Sequence, residues 1–193
     1  FKVDHMVIYF YREWVKILFF MLIFLPVANA ATTMNFDGTL IDTPCRIDQP
    51  SLNQNVVFLN STPRDYWKYP AVRPAEKFTI KLIQCDAKSL WKSVKIKFNG
   101  QPEPEMGAEQ QKYLTLSSGV NKSKLAIGLI DIDGNQRITL GENHNGGNGT
   151  QLNDGTMLLT FNAFVEATPK AIQEKSVVPG VYNATVEFEV SYE

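Results

Sequence analysis

The most regular pattern in the chain is the alternation of apolar and polar residues between positions 182 and 192. Every second position is apolar or aromatic, while the positions between them are mostly polar, and a Pro-Gly pair at 179–180 provides a turn before the segment. Alternation of this kind predicts a β-strand with one buried face. An apolar strand whose edge has no neighbour invites pairing with another chain, so we expect an interaction site here.

Shorter segments with the composition of strands fill the rest of the chain and are separated by Gly, Pro, Asn and Asp. The segment at 125–132 is apolar almost throughout, which is typical of a strand covered on both faces. No segment keeps an apolar period of 3.6 residues, so the pattern predicts an antiparallel β-sandwich with one helical turn within 168–176. The predicted strands lie at 55–59, 78–85, 94–98, 113–116, 125–132, 136–140 and 157–166.

A second alternating segment lies nearer the N-terminus, where Met34, Phe36, Gly38 and Leu40 occupy every second position. An ordinary first strand is the simplest interpretation. The glycine is unusual, because it removes a side chain from the apolar face and weakens a strand unless another group approaches closely.

The first thirty residues have the features of an export signal. Basic residues precede an apolar core at 17–27, and residues 28–30 read Ala-Asn-Ala, an A-x-A cleavage pattern. The apolar core is too short to span a bilayer, so we expect export without a membrane anchor. Removal of residues 1–30 leaves 163 residues, which suits a single domain.

Charge and cysteine content narrow the function classes further. The net charge of −1 argues against a nucleic-acid surface, which needs clustered basic residues. Cys45 and Cys85 are the only cysteines, and in an exported protein a disulfide is their expected state. They lack the C-x-x-C spacing of a redox site, so we predict a structural Cys45–Cys85 disulfide.

The sequence offers no catalytic constellation and no cofactor or metal site. His144 is the only histidine after residue 30, and its Gly- and Asn-rich surroundings predict a solvated loop side chain. Asp131 and Asp133 resemble the opening of a calcium loop, but the glycine and closing glutamate that such a loop needs are misplaced, so a hairpin turn is predicted. We therefore do not expect an enzyme.

Six motifs in the sequence resemble those of chaperone–usher pilus (fimbrial) subunits. The RDYW and SVVPG sequences are the narrower ones, and they are similar to those of the tip-adaptor type of subunit. The motifs cover nearly all of the chain after residue 30, at 36–45 (FDGTLIDTPC), 52–58 (LNQNVVF), 64–67 (RDYW), 125–134 (LAIGLIDIDG), 167–169 (ATP) and 176–182 (SVVPGVY).

This resemblance implies an all-β, incomplete immunoglobulin-like sandwich that lacks its C-terminal, seventh strand. It implies a signal peptide at 1–30, an N-terminal donor-strand extension at 31–44 that runs into the first strand, and the incomplete domain at 45–193. The donor strand would use Met34, Phe36, Gly38, Leu40 and Asp42. The groove that accepts a strand from a chaperone or a neighbouring subunit would be bordered by Tyr182, Ala184, Val186, Phe188, Val190, Tyr192 and Glu193.

The implied function is that of a structural minor subunit or adaptor in a pilus on the surface of a Gram-negative bacterium. The implied partners are a periplasmic pilus chaperone, an outer-membrane usher and neighbouring subunits. Two other functions are open: a tip adhesin that uses Tyr66 and Trp67 to bind a sugar, and a self-contained periplasmic binding module with a complete sandwich. More often, aromatic residues in such a loop pack onto the domain.

Overall fold

A computed structural model describes residues 43–193, and the predicted signal peptide and donor strand lie outside that range. The regular structure of the described part is mostly antiparallel β-strand, as the alternating segments predict. The ten strands are Arg46–Ile47 (β1), Glu76–Cys85 (β2), Ser93–Asn99 (β3), Tyr113–Thr115 (β4), Ser118–Gly119 (β5), Leu125–Ile130 (β6), Thr150–Gln151 (β7), Gly155–Ala167 (β8), Tyr182–Asn183 (β9) and Glu187–Tyr192 (β10).

The strands form two facing sheets and a short ribbon. The larger sheet has the order β1-β2-β8-β6-β4, the smaller one has the order β10-β3-β7, and β5 pairs with β9. Every pairing between named strands is antiparallel. The inner faces of the two sheets enclose one apolar core, which includes Phe98 from β3 and Phe161 from β8 in edge-to-face contact.

Most of the predicted strands are confirmed, but the C-terminal one is interrupted. The alternation at 182–192 predicts one continuous strand, whereas the structure has β9 and β10 with residues 184–186 between them. The pairing explains the interruption, because β9 pairs with β5 and β10 pairs with β3 in a different sheet. The predicted strand at 136–140 is reduced to an isolated bridge between Ile130 and Arg137.

The described residues contain five helical segments, two of which are the short 3-10 helices Pro63–Tyr66 and Asn145–Gly147. A short α-helix at Pro169–Glu174 confirms the predicted helical turn, and its first turn is capped by the Thr168 hydroxyl, which accepts from the Ala171 N–H at 3.3 Å. A second α-helix at Gln49–Leu52 and a 3-10 helix at Pro104–Lys112 were not predicted. Both begin with proline in the first turn, but neither has enough apolar periodicity to be recognised in the sequence.

The predicted disulfide is confirmed. Cys45 and Cys85 are bonded, their Cα atoms are 4.1 Å apart, and both residues are buried. The bond joins the start of the described chain to the last residue of β2. It closes a loop of 40 residues, for which chain-entropy arguments give about 4 kcal/mol of stabilisation.

Candidate functional site: an open groove between the sheets

The core of the sandwich is exposed along one side, where a groove of about 410 Å³ opens between the two sheets. Its floor consists of apolar core side chains from five strands. One rim is formed by residues 51–58, and the other is formed by 182–188. The floor side chains are Phe78, Ile80, Phe98, Leu114, Ile127, Leu129 and Ala163.

The hydrogen-bond register shows which backbone groups of β10 face the groove. Ser93 and Glu193 exchange two backbone hydrogen bonds, at 2.8 and 3.0 Å, and the register pairs Glu189 with Lys97. In an antiparallel ladder the bonded pairs alternate. The N–H and C=O groups of odd-numbered residues in β10 therefore point to β3, while those of Phe188 and Val190 point to the free edge.

The opposite rim of the groove is also unpaired. Val56 and Phe58 turn their side chains toward the core and are partly buried, whereas Val57 and Leu59 are 80% and 66% exposed. The strand predicted at 55–59 is not formed, although burial alternates along the segment as it would in a strand. The reason is that the segment has no strand partner within 43–193. Among these residues, both long borders of the groove therefore offer free backbone groups.

The structure brings four of the predicted acceptor residues to the groove, namely Tyr182, Ala184, Val186 and Phe188. Val190 and Tyr192 are on the same face and pack against the core beyond the groove lining. All six side chains are partly buried, while Asn183, Thr185, Glu187 and Glu189 between them are exposed. The alternation therefore identifies the inner face correctly, although the strand itself is interrupted.

Glu193 lies at the far end of β10 and is held by its own chain. Its backbone oxygen accepts from the N–H groups of Lys92 and Ser93, at 2.6 and 2.8 Å. Its side-chain carboxylate pairs with the Lys95 ammonium at 2.6 Å. These contacts fix the register of β10 against β3 at this end of the strand.

The opposite edge of the smaller sheet is covered by the loop that contains His144. This contradicts the prediction of a solvated side chain, because His144 is only 1% exposed. Its N–H donates to the Ile96 carbonyl at 2.8 Å, and its Nδ1 accepts the Ile96 N–H at 2.8 Å. The Nε2 atom is 2.8 Å from the Thr150 hydroxyl, so a neutral ring with its proton on Nε2 satisfies both contacts. Burial lowers the pKa of His144.

The aromatic loop at 60–70 closes one end of the sandwich. Tyr66 is only 2% exposed, and its hydroxyl lies 3.1 Å from the Ser61 hydroxyl. The Trp67 indole N–H donates to the Val177 carbonyl at 3.4 Å. Beside this loop, the centroids of the Phe58 and Tyr182 rings are 6.4 Å apart. Burial raises the pKa of the Tyr182 hydroxyl to about 12. The loop packs onto the domain, and its buried tyrosine cannot form a sugar platform.

No helix within 43–193 is long and apolar enough to cross a membrane. No group of three or more His, Cys, Asp and Glu side chains in this part of the chain is arranged to hold a metal ion.

The sequence and the fold are similar to those of known pilus proteins. The family described as "Fimbrial protein" matches residues 34–193. Protein PrsK and Fimbrial adapter PapK of Escherichia coli are 41% and 39% identical to this chain, in each case over 84% of this chain and 88% of the relative. The solved structure of a chaperone–usher pilus matches with a TM-score of 0.64 and 21% identity, and the match covers 88% of this chain and 99% of the pilus subunit. The last match shows that the fold is the predicted immunoglobulin-like sandwich.

Proposed function

Because this chain belongs to the fimbrial protein family and is a structural subunit of a cell-surface pilus, we propose that a strand from another protein fills its groove and completes the sandwich. The single observation that carries this proposal is that both borders above the apolar floor have no strand partner among residues 43–193. A self-contained binding module would have no need of an open core. The proposal assigns the chain no catalytic role.

The geometry suits an added strand better than a small ligand. A strand beside β10 can exchange backbone hydrogen bonds with Phe188 and Val190, while its alternate side chains point down to the floor. Each large apolar side chain buried in this way stabilises the complex by about 1.5–3 kcal/mol before ordering costs. Four or five such side chains would make a joint that dissociates very slowly.

We propose that the chain also donates a strand to a neighbouring subunit, through residues 31–44. These residues lie largely outside the described range, so the support comes from the sequence. Phe36 and Leu40 would enter pockets of the neighbour's groove, with Met34 and Asp42 at the margins. Gly38 would lie where the groove is too shallow for a side chain, which accounts for a glycine inside an alternating segment.

A synthetic peptide of residues 31–44 tests the donor role. We expect it to release a chaperone from a chaperone-bound neighbouring subunit, because its side chains fill the same pockets. The Gly38→Leu peptide should release the chaperone far more slowly, since a bulky side chain would collide with the groove floor. Equal release by the two peptides would show that the pocket assignment for Gly38 is wrong.

The proposed partners during assembly are a periplasmic chaperone, which fills the groove first, and an outer-membrane usher, where a neighbour's strand replaces it. By resemblance, basic residues of the chaperone would hold the carboxylate at Glu193. A charge-assisted contact there would fix the register, because a slip by two residues would lose it.

Deletion of residues 191–193 tests the chaperone contact. The deletion should abolish co-purification with the chaperone, whereas Glu174→Gln, an exposed change on the helix Pro169–Glu174 away from the groove, should leave the complex intact. Circular dichroism of both variants would confirm that the sandwich is retained. An intact complex after the deletion would rule out this docking end.

The relatives named as fimbrial adapters support an adaptor role for this chain within the pilus. The proposed adaptor would receive a strand from one subunit and give its own to another. Purification of the assembled pilus with its neighbours, followed by cross-linking from the two borders of the groove, would identify the subunit on each side. An adhesin role is disfavoured because Tyr66 is buried.

A further inference from the structure

The outer face of the smaller sheet carries charge in columns of alternating sign. On β3, Lys95 and Lys97 point outward, and beside them on β10 lie Glu187, Glu189 and Glu193, which we call the acidic column. The Lys97 ammonium is 3.6 Å from the Glu189 carboxylate, and the Lys95 ammonium is 2.6 Å from that of Glu193. The acidic column therefore lies at the sheet border that is free to receive another strand.

The charges of the acidic column are not all neutralised by β3. Glu187 lies opposite Asn99 in the register, and it forms no ion pair with any residue in the described part of the chain. Glu189 keeps 56% of its side chain exposed despite its pair with Lys97. A strand added beside β10 would place its outward side chains directly next to these two carboxylates.

The facing rim of the groove does not balance the negative charge of the acidic column. Its outward residues Asn55, Val57 and Leu59 carry no charge. The acidic column is therefore the main electrostatic feature that the outward side of an incoming strand meets. Opposite charges that face each other across two strands stabilise the pair, while like charges destabilise it.

We propose that the groove selects a partner strand with Lys or Arg on its outward positions, and that it therefore discriminates against the arm of a second copy of this chain. This inference rests on the proposed strand-accepting function. If Phe36 and Leu40 of the arm point inward, its outward residues are Asn35, Asp37, Thr39 and Ile41, which include one acid and no base. A second copy would thus bring Asp37 into the acidic column, directly or diagonally opposite Glu187 or Glu189.

The experiment measures binding of fluorescent 31–44 peptides to the full chain, at low salt and at 0.5 M NaCl. The peptides are the native sequence, Asp37→Lys and Asp37→Asn. We expect Asp37→Lys to bind about fivefold more tightly than the native peptide at low salt, with Asp37→Asn between them. The difference should shrink at high salt, because exposed charges are then screened.

Matched variants of the full chain show which carboxylates cause the preference for the Asp37→Lys peptide. The Glu187→Gln/Glu189→Gln double variant should bind the native and Asp37→Lys peptides equally well. Glu174→Gln, an exposed change on the helix Pro169–Glu174, should keep the fivefold preference. A preference for the native peptide, equal binding of all peptides to the unaltered chain, or a preference that survives in the double variant would each overturn the proposal. If no peptide binds at either salt concentration, the strand-accepting function itself is wrong and this inference fails with it.

Discussion

One edge of the three-stranded sheet is covered by its own chain, and the other edge is left open. On the covered edge, His144 exchanges two hydrogen bonds with Ile96, Gly141 donates to the Phe98 carbonyl, and β7 pairs with the start of β3. On the open edge, within 43–193, the free N–H and C=O groups of Phe188 and Val190 have no strand beside them. Both edges belong to one sheet and lie above one core, so the open edge is a specific feature of the chain rather than a general weakness of the sheet.

The two edges differ in the kind of segment that can cover them. A loop rich in Gly and Asn can follow the covered edge because several of its residues, among them Gly146, Gly147 and Gly149, have positive φ, a conformation that costs glycine little. The open edge instead presents alternate apolar side chains above a groove. A segment that covers this edge must therefore be an extended strand that carries its own apolar side chains.

The largest effect is expected on the covered edge. His144→Ala removes a buried ring, leaves the Ile96 N–H without its acceptor, and should lower the free energy of unfolding by about 3 kcal/mol. Urea unfolding of the full chain without added peptide measures this change. Glu187→Ala on the open edge is the matched control and should change the stability by less than about 0.5 kcal/mol. Similar losses for the two variants would remove the distinction between the edges.

A smaller effect, with a different readout, is expected for Phe188→Ala. Phe188 is half-buried in the groove wall, so its removal should weaken peptide binding by about 2 kcal/mol. Phe164→Ala is the control, because Phe164 packs with Tyr113 and Ala126 in a separate buried cluster away from the groove. It should lower the stability of the chain without changing the affinity for the peptide. A stronger effect of Phe164→Ala on binding would contradict the assignment of the groove.

The covered edge should also weaken at acidic pH. Since burial lowers the pKa of His144 below 6.5, the unfolded chain binds its proton more readily than the folded chain does. The contribution of His144 is therefore complete well above pH 6.5 and is lost as the pH falls from there toward the folded pKa. Urea midpoints between pH 7.5 and 5.0 measure this loss, and His144→Asn should lack this component. Stability that rises on acidification in a His144-dependent way would show that the sign is wrong.

The smallest effect is expected at Glu189. Glu189→Gln removes an exposed ion pair with Lys97 at 3.6 Å, and such pairs contribute about 0–1 kcal/mol. Urea unfolding in low and high salt measures the change. The difference in stability between Glu189→Gln and the unaltered chain should nearly vanish in high salt. A loss above about 2 kcal/mol would mean that Glu189 has a structural role beyond this pair.

The two edges differ in how well the sequence predicts them. At the open edge, the inner face of β10 was predicted from its alternating side chains, because the alternation along a strand and the alternation of its burial have the same period. The interruption at 184–186 was not predicted, since it depends on pairing with two different sheets. The role of His144 could not be predicted either, because a single histidine among Gly and Asn has the composition of a solvated loop. Its burial depends on hydrogen bonds to Ile96, which lies 48 residues earlier.

The groove itself was anticipated only in part. Val186 and Phe188 follow from the pattern of the last strand, whereas the floor residues were not predicted. The sequence predicted a strand at 55–59, but only the structure shows that this segment borders the groove beside the short helix Gln49–Leu52. The narrow RDYW motif pointed to the family, whereas the burial of Tyr66 came from the structure.

Amide hydrogen exchange across β10 shows whether a partner strand is added at the open edge. The full chain is compared by NMR with and without a bound strand peptide. We expect the amides of Phe188 and Val190 to gain strong protection on binding, because they point to the open edge. The amides of Glu187 and Glu189, which already pair with β3, should change little. Protection that appears at Glu187 and Glu189 instead, or at none of the four amides when the peptide is bound, would contradict strand addition at this edge.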